Sequence, residues 1–389
     1  MKEERKKVFL VASVPSMIGQ FNMLNIQVLQ EMGYQVEVGC NFLDRSIWGE
    51  KRVKEFEKEL EEKKVRKHQI DFSRKIKKIN ENWKAYRQLK EILLKEDYKF
   101  IHCHTPIGGV IGRIAGHREG IKIIYTAHGF HFYKGAPMQN WLLYYPVEML
   151  LSKWTDILIT INQEDYQRAK KLYAGKAEYV PGVGIDLEKI EKVQIGRKEK
   201  RRELGIPEEA IVMVSAGELS KRKNHIAVIK AMGRKKEKKI YYVICGQGTW
   251  EQKLKETAKR EGINEQVKIL GFRTDVIEIY KASDIFVFPS KQEGLPVALM
   301  EAMAAGLPCI VSDIRGNRDL IQNEINGKCM PLKKFERDLE IELKDYIRNP
   351  RIWENYARLG KEAIKEKSWD HILRKMDVIY RTISDEEKE

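Results

Sequence analysis

Residues 282–313, ASDIFVFPSKQEGLPVALMEAMAAGLPCIVSD, decide the fold of this chain. The apolar run over residues 285–289 predicts a buried parallel strand, and the polar residues 290–294 predict a turn after it. Pro296 suits the first position of a helix, and residues 297–305 are mostly good helix formers. A strand, a turn and a helix in this order indicate one unit of a parallel α/β sheet.

Two glutamates flank the start of this predicted helix. Glu293 lies at the mouth of the turn, and Glu301 lies within the helix. The first amides of a helix have no internal partner, so the helix start at Gly294, Leu295 and Pro296 can receive an anionic diphosphate. Glu293 would then accept hydroxyls of a sugar and Glu301 would reach a ribose, which fits a sugar nucleotide. The alternative is that both are solvated acids, which the helix dipole favours here.

The same alternation of apolar strands and helical stretches runs through both halves of the chain, and it predicts parallel sheets covered by helices. Proline and glycine at residues 180–186 interrupt regular structure, so we expect two domains, residues 1–183 and 184–368. Ten strands are expected, at residues 8–14, 35–40, 100–104, 122–127, 156–161, 211–216, 240–245, 267–270, 285–288 and 309–312.

The length and composition of the chain indicate a globular protein with large hydrophobic cores. Its 389 residues, 42% hydrophobic and 33% charged, are too many for one ordinary core and indicate two domains. No apolar run approaches the roughly 18 residues of a membrane span, and we expect no secretory leader, because no charged-then-apolar pattern occurs before the first strand. The five cysteines are widely spaced, so we expect small buried residues in a reducing cytoplasm.

The run from Glu293 to Pro308, EGLPVALMEAMAAGLP, resembles the signature of the family 4 retaining glycosyltransferases. Residues 271–284 and 316–327 also resemble segments of that family. The resemblance implies the α/β GT-B fold, in which two Rossmann-like domains face each other across a cleft. It further implies that the first domain binds the acceptor, the second binds the donor nucleotide, and a final helix at residues 369–389 completes the first domain.

The loop at residues 217–225, GELSKRKNH, carries cations on the donor side. A cation stabilises charge that develops on a departing diphosphate, and Lys223 matches the lysine of the family. The family commonly has an arginine where this chain has Glu218, and a carboxylate cannot replace a cation at a phosphate. Either Lys221 or Arg222 supplies the missing charge, or the loop is built differently. The alternative for the whole loop is a solvated basic turn.

Three further residues are assigned to the candidate site because of their positions in the sequence. His128 follows an apolar strand, and the family has a histidine at a comparable strand end that contacts the donor sugar. Gly19 is the single glycine of its loop, which makes that loop a weak phosphate-facing candidate. Arg273 lies in the segment that resembles the nucleotide side of the family. Three other histidines of the first domain are expected to be structural: His102, His104 and His131.

No Asp-any-Asp pair and no histidine or cysteine cluster with metal-ligand spacing occurs in the sequence. We therefore expect no metal site, and no cofactor besides the nucleotide-sugar co-substrate. Positive side chains and helix amides would stabilise the leaving diphosphate. The family resemblance implies that the acceptor attacks on the same face, assisted by the departing phosphate.

The formal net charge of +15 suggests that the protein has an anionic binding partner. Residues 63–90 hold eleven lysines or arginines against two acids, a local net charge of +9, interleaved with apolar residues. This mixture favours an anionic membrane surface, although a solvated basic helix is the alternative. Nucleic acid is a rival partner, but no helix-turn-helix, zinc-finger or RNA-binding signature occurs. The membrane-facing candidates are Arg74, Lys75, Lys77 and Lys78.

Together these features predict a cytoplasmic glycosyltransferase at the inner face of the cell membrane. It is expected to move a hexose or N-acetylhexosamine from a UDP-linked donor to a lipid-linked glycan. Residues 128–173 resemble enzymes of capsular or exopolysaccharide assembly. Two alternatives stay open: a nucleotide-sugar epimerase of similar two-domain fold, and a non-catalytic basic module that binds membranes or nucleic acid.

Overall fold

The computed structural model describes residues 7–235 and 237–385. The chain divides into two compact units, one formed by Met1–Val183 with Trp369–Glu389 and the other by Gly184–Ser368. The expected domain ends at residues 1–6 and 386–389 lie outside the described residues. Each unit is built around one parallel sheet.

Seven strands form the sheet of the first unit: β1 Lys7–Val11, β2 Gln35–Cys40, β3 Arg66–Gln69, β4 Tyr98–His104, β5 Lys122–Ala127, β6 Ile157–Thr160 and β7 Lys176–Tyr179. They are parallel and lie in the order β3-β2-β1-β4-β5-β6-β7. Central strands such as β1 are apolar on both faces, because helices cover both sides of the sheet.

Seven helices connect these strands: α1 Pro15–Phe21, α2 Met23–Glu31, α3 Glu50–Glu62, α4 Ile79–Leu93, α5 Pro106–Arg118, α6 Met138–Ser152 and α7 Gln163–Ala169. Alternate residues of β1 point to opposite faces of the sheet and belong to two separate cores. One core contains side chains of α1, α2 and α3. The other contains α4 and α5, with aromatic residues of α6 packed against it, so these three helices cover the same face.

Six parallel strands form the second sheet: β8 Ile211–Ala216, β9 Ile240–Cys245, β10 Val267–Gly271, β11 Ile285–Phe288, β12 Cys309–Ser312 and β13 Lys328–Met330. Their order is β10-β9-β8-β11-β12-β13. The helices of this unit are α8 Leu187–Lys192, α9 Arg197–Glu203, α10 Ile226–Lys235, α11 Glu251–Glu261, α12 Val276–Ala282, α13 Val297–Ala304, α14 Phe335–Arg348 and α15 Pro350–Ala363, with 3₁₀ turns at Asn264–Gln266, Leu332–Lys334 and Ile364–Lys367.

The last helix, α16 Trp369–Asp385, packs in the first unit. It has the amphipathic spacing that the sequence predicts for a final helix, because one side of it is buried in the core with α1, α2 and α3. The buried residues of that side include Ile372, Met376, Ile379 and Tyr380.

The expected α/β class with two Rossmann-like parallel sheets is confirmed, and all ten predicted strands are present, six with the predicted ends and four with shifted ends. β3, β7 and β13 were not predicted. Each lies at an edge of its sheet; β3 and β7 are rich in polar or charged residues, as edge strands commonly are, and β13 has only three residues. The predicted helix after Pro296 runs over Val297–Ala304, with Pro296 as its N-cap residue.

The basic segment at residues 63–90 is not a single helix, since it contains β3, a loop and most of α4. Ile70, Phe72, Tyr86 and Leu89 are buried in the core. The expectation that the apolar residues of this segment face a membrane is therefore wrong for these four. The apolar residues of this segment that do face solvent are Ile76, Ile79 and Trp83, and the candidates Arg74, Lys75, Lys77 and Lys78 are also exposed.

The expected phosphate-facing loop around Gly19 is in fact helix α1. A Cβ atom at Gly19 would collide with the indole ring of Trp48. Glycine occupies this position because the aromatic ring packs directly against the helix backbone. We therefore correct the assignment of Gly19 as a phosphate-facing residue.

Candidate functional site

The order of the strands in the second sheet reverses between β8 and β11. From β8 the chain steps outward through β9 and β10, and β11 then returns to the other side of β8. The loops that follow β8 and β11 therefore lie side by side at the carboxyl edge of the sheet, where open α/β sheets bind their ligands. Lys223 lies in the first of these loops and Glu293 in the second.

Three hydrogen bonds to backbone carbonyls join these two loops. The amide of Lys291 donates to the carbonyl of Arg222 over 2.8 Å, and Arg222 Nη1 donates to the carbonyl of Gln292 over 2.9 Å. Asn224 Nδ2 donates to the carbonyl of Pro289 over 3.1 Å. Asn224 has a φ of 59°, a left-handed conformation that asparagine tolerates. These bonds hold the side chains of the two loops in one arrangement.

Lys223, Arg222 and Glu293 form a charged cluster at this point. Glu293 Oε1 lies 2.8 Å from Lys223 Nζ and 2.9 Å from Arg222 Nη1. The side chains of Lys223 and Glu293 are 11% and 10% exposed, and Lys223 Nζ lies 4.6 Å from the centroid of the Phe288 ring. Burial lowers the pKa of Lys223, and the charge of Glu293 opposes that shift. Lys223 and Arg222 therefore share the carboxylate of Glu293.

The geometry shows which cation accompanies Lys223. Arg222 contacts Glu293, whereas Lys221 is exposed and forms no ion pair with any described residue. Glu218 is 60% exposed, and its Oε2 lies 3.8 Å from Arg222 Nη2. Glu218 therefore lies beside Arg222, and Arg222 supplies the second positive charge of the cluster.

The start of α13 offers backbone amides to a ligand. Leu295 and Pro296 are buried just before the helix begins. Among the described residues, no backbone carbonyl accepts a hydrogen bond from the amide of Gly294 or of Leu295. Gly316, with a φ of +78°, packs against this turn so closely that a Cβ atom would collide with the carbonyl oxygen of Gly294. Any side chain at position 316 would displace the turn.

Glu301 lies further along α13 and is half-buried. Burial raises the pKa of its carboxyl to about 7, and the charge of Lys189 opposes the shift. Within the described part of the chain, the side-chain carboxyl of Glu301 has no hydrogen-bond partner, and the buried hydroxyl of nearby Tyr280 has none either. A carboxyl with a raised pKa and without a partner is a candidate functional group.

Arg273 lies apart from the charged cluster. Its Nε and Nη2 donate to Asp275 over 2.7 and 2.6 Å, and Nη2 also donates to Glu203 over 2.8 Å. The guanidinium holds the pKa of the Asp275 carboxyl far below its usual range. Arg273 is thus held by two carboxylates, and its assignment as a donor-binding residue stays a prediction.

In the first unit, His128 follows β5 and meets His104 at the end of β4. His128 Nε2 lies 3.2 Å from His104 Nδ1. Burial lowers the pKa of His128 to about 4 and that of His104 well below its usual value, so both rings are neutral at pH 7. His102 lies against Tyr380 and Thr126 and is structural. The expectation of a structural role holds for His102, whereas His104 contacts the candidate functional histidine.

A cavity of about 310 Å³ lies beside His128. Aromatic rings and the inner side of α6 line it, together with the start of α5. The lining residues include Thr105, Tyr125, Phe130, Tyr144, Val147 and Glu148. This mixture of aromatic and polar groups suits a small polar ligand such as a sugar.

Ser13 and Thr105 join this site, although the sequence did not single them out. Thr105 has a φ of 65°, which is strained for a β-branched residue. Its Oγ1 lies 2.7 Å from Ser13 Oγ, and the amide of Gly108 donates to Ser13 Oγ over 3.1 Å. The available signal was their position after β1 and β4, the neighbouring strands between which the order of the first sheet reverses.

Over the described residues, no group of three or more histidine, cysteine or acidic side chains could hold a metal ion. In the same part of the chain, no helix is long and apolar enough to cross a membrane. All five cysteines are unpaired thiols, and four of them are buried.

Two family models match the chain. The model for glycosyl transferases group 1 matches residues 196–366, and the model for glycosyl transferase 4-like domains matches residues 21–162. The first match contains the cluster of Lys223, Arg222 and Glu293. The second contains His104 and His128.

Individual relatives extend these matches over the whole chain. The putative glycosyltransferase EpsD of Bacillus subtilis strain 168 is 33% identical over 391 residues, which cover 98% of this chain and 97% of the relative. A UDP-Gal:alpha-D-GlcNAc-diphosphoundecaprenol alpha-1,3-galactosyltransferase of Escherichia coli is 33% identical over 262 residues, covering 65% of this chain and 67% of the relative. The fold is similar to that of Anabaena HepE in complex with UDP-glucose, with a TM-score of 0.79, 17% identity and coverage of 97% and 99% of the two chains.

Proposed function

The chain belongs to the family 4 glycosyltransferases of the GT-B fold, and from that membership we propose that it transfers a hexose or N-acetylhexosamine from a UDP-linked donor to a lipid-linked glycan. Transfer proceeds with retention of the anomeric configuration and serves the synthesis of a cell-surface polysaccharide. The observation that carries the proposal is the cluster of Lys223, Arg222 and Glu293 where the loops after β8 and β11 meet.

The proposed donor site consists of this cluster and the start of α13. The diphosphate lies against Lys223 and Arg222 and accepts hydrogen bonds from the amides of Gly294 and Leu295. Oε1 of Glu293 contacts the two cations, so Oε2 is the oxygen that accepts sugar hydroxyls. One carboxylate thus positions the cations and the sugar together.

Catalysis follows from the charge that develops on the leaving diphosphate. Glu293 holds Lys223 in a buried position, where its charge acts strongly and needs no reorganisation as the glycosidic bond breaks. The acceptor hydroxyl attacks on the face from which the diphosphate departs, and a phosphate oxygen takes its proton. Lys223 and Arg222 supply charge that a divalent ion supplies elsewhere, so we include metal independence in the proposal.

His128 is the proposed sugar-contacting residue of the first unit, the acceptor-binding domain in this proposal. Nε2 of His104 is buried and has no partner among the described residues. Burying an acceptor nitrogen without a partner costs less free energy than burying an N–H donor without one. We therefore assign the hydrogen of His104 to Nδ1, and the Nδ1–H group donates to Nε2 of His128. His128 then carries its hydrogen on Nδ1 and can donate it to a sugar oxygen.

His104→Ala is expected to lower kcat about five- to tenfold, since the loss of a hydrogen bond of about 1 to 1.4 kcal/mol releases the ring of His128. In His104→Asn the side-chain amide can take the place of Nδ1, and most of the activity is expected to return. Steady-state kinetics and thermal unfolding of both variants measure this. Equal kcat values for the two variants would leave His104 with a structural role only.

Glu301, as the proposed ribose-binding residue, makes donor affinity depend on pH. With a pKa of about 7, its carboxyl is mostly protonated at pH 6 and mostly ionised at pH 8. Ribose hydroxyls donate best to the ionised form, so a bound donor lowers this pKa, and affinity rises with pH. For a pKa that falls by one unit, the rise from pH 6 to pH 8 is roughly fivefold.

Calorimetric titration with UDP-glucose, whose diphosphate does not titrate in this range, measures the dependence at pH 6, 7 and 8. Glu301→Gln is the control, and it is expected to bind more weakly and to lose the pH dependence. Affinity that falls as the pH rises would contradict the assignment of Glu301 to the ribose.

The acceptor is assigned by relationship and by charge. The name of the Escherichia coli relative specifies a diphosphoundecaprenol-linked GlcNAc, and we propose an acceptor of the same lipid-diphosphate class here. The exposed basic loop at residues 74–78 would attract the anionic membrane surface in which such acceptors lie, at its cytoplasmic side. Nucleic acid is not part of the proposal.

Sugar transfer itself separates this function from the two alternatives. UDP-linked hexoses and N-acetylhexosamines are incubated with lipid-diphosphate glycans, and the product linkage is determined by NMR. UDP release that depends on the acceptor, with retained anomeric configuration, is expected. An epimerase would change the sugar without an acceptor, and a non-catalytic module would leave every donor intact.

A further inference from the structure

The outer side of α6 is apolar. Met138, Leu142, Leu143, Val147 and Leu150 are 72%, 73%, 53%, 41% and 52% exposed. At 3.6 residues per turn these side chains spread over about half of the helix circumference, and they form an exposed surface about 18 Å long. We call this surface the α6 strip. An exposed apolar surface of this kind marks contact with a protein or a membrane.

Helix α6 differs from an ordinary surface helix, because its outer side presents apolar residues to solvent. Its inner side contains Glu148, Leu151 and Ser152, all buried. Glu148 Oε2 accepts a hydrogen bond from Arg113 Nη2 over 3.1 Å, in an ion pair beneath the helix. A surface helix normally presents charged residues to water and an apolar stripe to the core. Packing within the first unit therefore does not account for the α6 strip.

Charges around the α6 strip favour an anionic lipid surface as the partner. Lys134 precedes α6 and Lys153 follows it, and both are exposed. The exposed basic loop at residues 74–78 leads into α4, which covers the same face of the sheet as α6. Apolar side chains beside lysines suit the boundary of an anionic bilayer. A second copy of this chain would instead bring these positive charges together.

The inner side of α6 connects the strip to the site of the first unit. Tyr144, Val147 and Glu148 line the cavity that also contains His128. Val147 is in addition part of the strip. One helix therefore faces solvent with aliphatic residues and faces the candidate sugar-binding cavity with aromatic and polar ones.

We propose that the α6 strip inserts into the surface of an anionic membrane, and that α6 thereby brings the His128 cavity to acceptors held in the bilayer. The identity of those acceptors rests on the proposed function. The membrane contact itself rests on the exposure of the strip and the charges around it.

The double variant Leu142→Gln/Leu150→Gln tests this, because it removes apolar surface at two positions that do not line the cavity. Leu94→Gln/Ile347→Gln is the matched control, since it makes the same change at exposed aliphatic residues elsewhere. Cosedimentation of the full chain with vesicles of phosphatidylglycerol and phosphatidylcholine gives the partition coefficient. The partition coefficient of the strip variant is expected to be at least about tenfold lower than that of the parent, and the partition coefficient of the control to stay within about twofold of the parent value.

Salt separates the apolar contact from the electrostatic one. The variant Arg74→Gln/Lys75→Gln/Lys77→Gln/Lys78→Gln is expected to bind vesicles more weakly than the parent at low salt. At raised salt the partition coefficients of this variant and the parent are expected to become similar, because salt screens exposed charges. The weaker vesicle binding of the strip variant is expected to persist at both salt concentrations, because salt does not screen the insertion of apolar side chains.

Equal partition of the strip variant and the parent overturns the proposal. A dimer of the parent that the strip variant loses, with vesicle binding unchanged, also overturns it and makes the strip a contact between two copies. Transfer to a short water-soluble acceptor is measured in parallel, and the strip variant is expected to retain it. If the parent transferred no sugar, the proposed function would fail, whereas the vesicle result would still decide the membrane contact.

Discussion

Glu293→Gln is expected to lower kcat by about 10²- to 10³-fold while the protein stays folded. Glu293 Oε1 contacts both Lys223 Nζ and Arg222 Nη1. An amide oxygen is a weaker acceptor than a carboxylate for both cations and for the hydroxyls of a bound sugar. The change also leaves Lys223 buried without its counter-charge, so the pKa of Lys223 falls further below its usual value.

Steady-state kinetics at saturating donor and acceptor measure this effect, and circular dichroism verifies the fold. Glu336→Gln is the matched control, because Glu336 also pairs with a cation, Arg234, but lies on α14 and does not contact the cluster. It is expected to leave kcat unchanged. Near-normal turnover by Glu293→Gln would remove Glu293 from the proposed site.

Lys223→Ala is expected to reduce kcat by a similar factor, about 10²- to 10³-fold, even when the donor is saturating. The lysine charge stabilises the diphosphate most strongly when the glycosidic bond is breaking, so its loss lowers kcat more than it raises KM. Arg222 and the amides of Gly294 and Leu295 still bind the donor before reaction. A large increase in KM with unchanged kcat would instead make Lys223 a ground-state binding residue.

Lys221→Ala is the matched control for this prediction. Lys221 lies in the same loop and carries the same charge, but it is exposed and forms no ion pair with a described residue. Its removal is expected to change kcat by less than about twofold, because exposed charges are well screened. Equal effects of the two lysines would mean that the overall charge of the loop acts, rather than one positioned cation.

The internal strands could be predicted because burial on both faces leaves a continuous apolar run. β11, with the sequence IFVF, and β8, with IVMVSA, are examples. β3, RKHQ, and β7, KAEY, lie at the two edges of the first sheet, where charged residues protect an open edge from pairing with other chains. An edge strand therefore lacks the apolar run by which a central strand is predicted.

Single residues of the proposed donor site could be singled out from the sequence, but their contacts could not. Lys223 and Glu293 are far apart in the sequence, and their ion pair exists because β8 and β11 are neighbours in the sheet. Arg273 lies in a segment that resembles the nucleotide side, and only its side-chain geometry shows that two carboxylates hold it. Gly19 was wrongly placed in a loop, because a glycine that admits an aromatic ring to a helix has no distinct sequence pattern.

The α6 strip is also beyond sequence reasoning. The residues of α6 are apolar on almost every side, a pattern that predicts a fully buried helix. Only the exposed fractions of its side chains show that one side faces solvent. The sequence instead predicts membrane-facing residues in the basic segment at residues 63–90, because its charge excess is visible without the structure.

Hydrogen–deuterium exchange of the full chain, with and without UDP, tests most directly the claim that the donor binds where the loops after β8 and β11 meet. Residues 217–225 and 290–301 are expected to exchange more slowly with UDP, because the ligand engages the amides of Gly294 and Leu295 and holds both loops. Unchanged exchange in both segments, with protection confined to other parts of the chain, would contradict this location of the donor site.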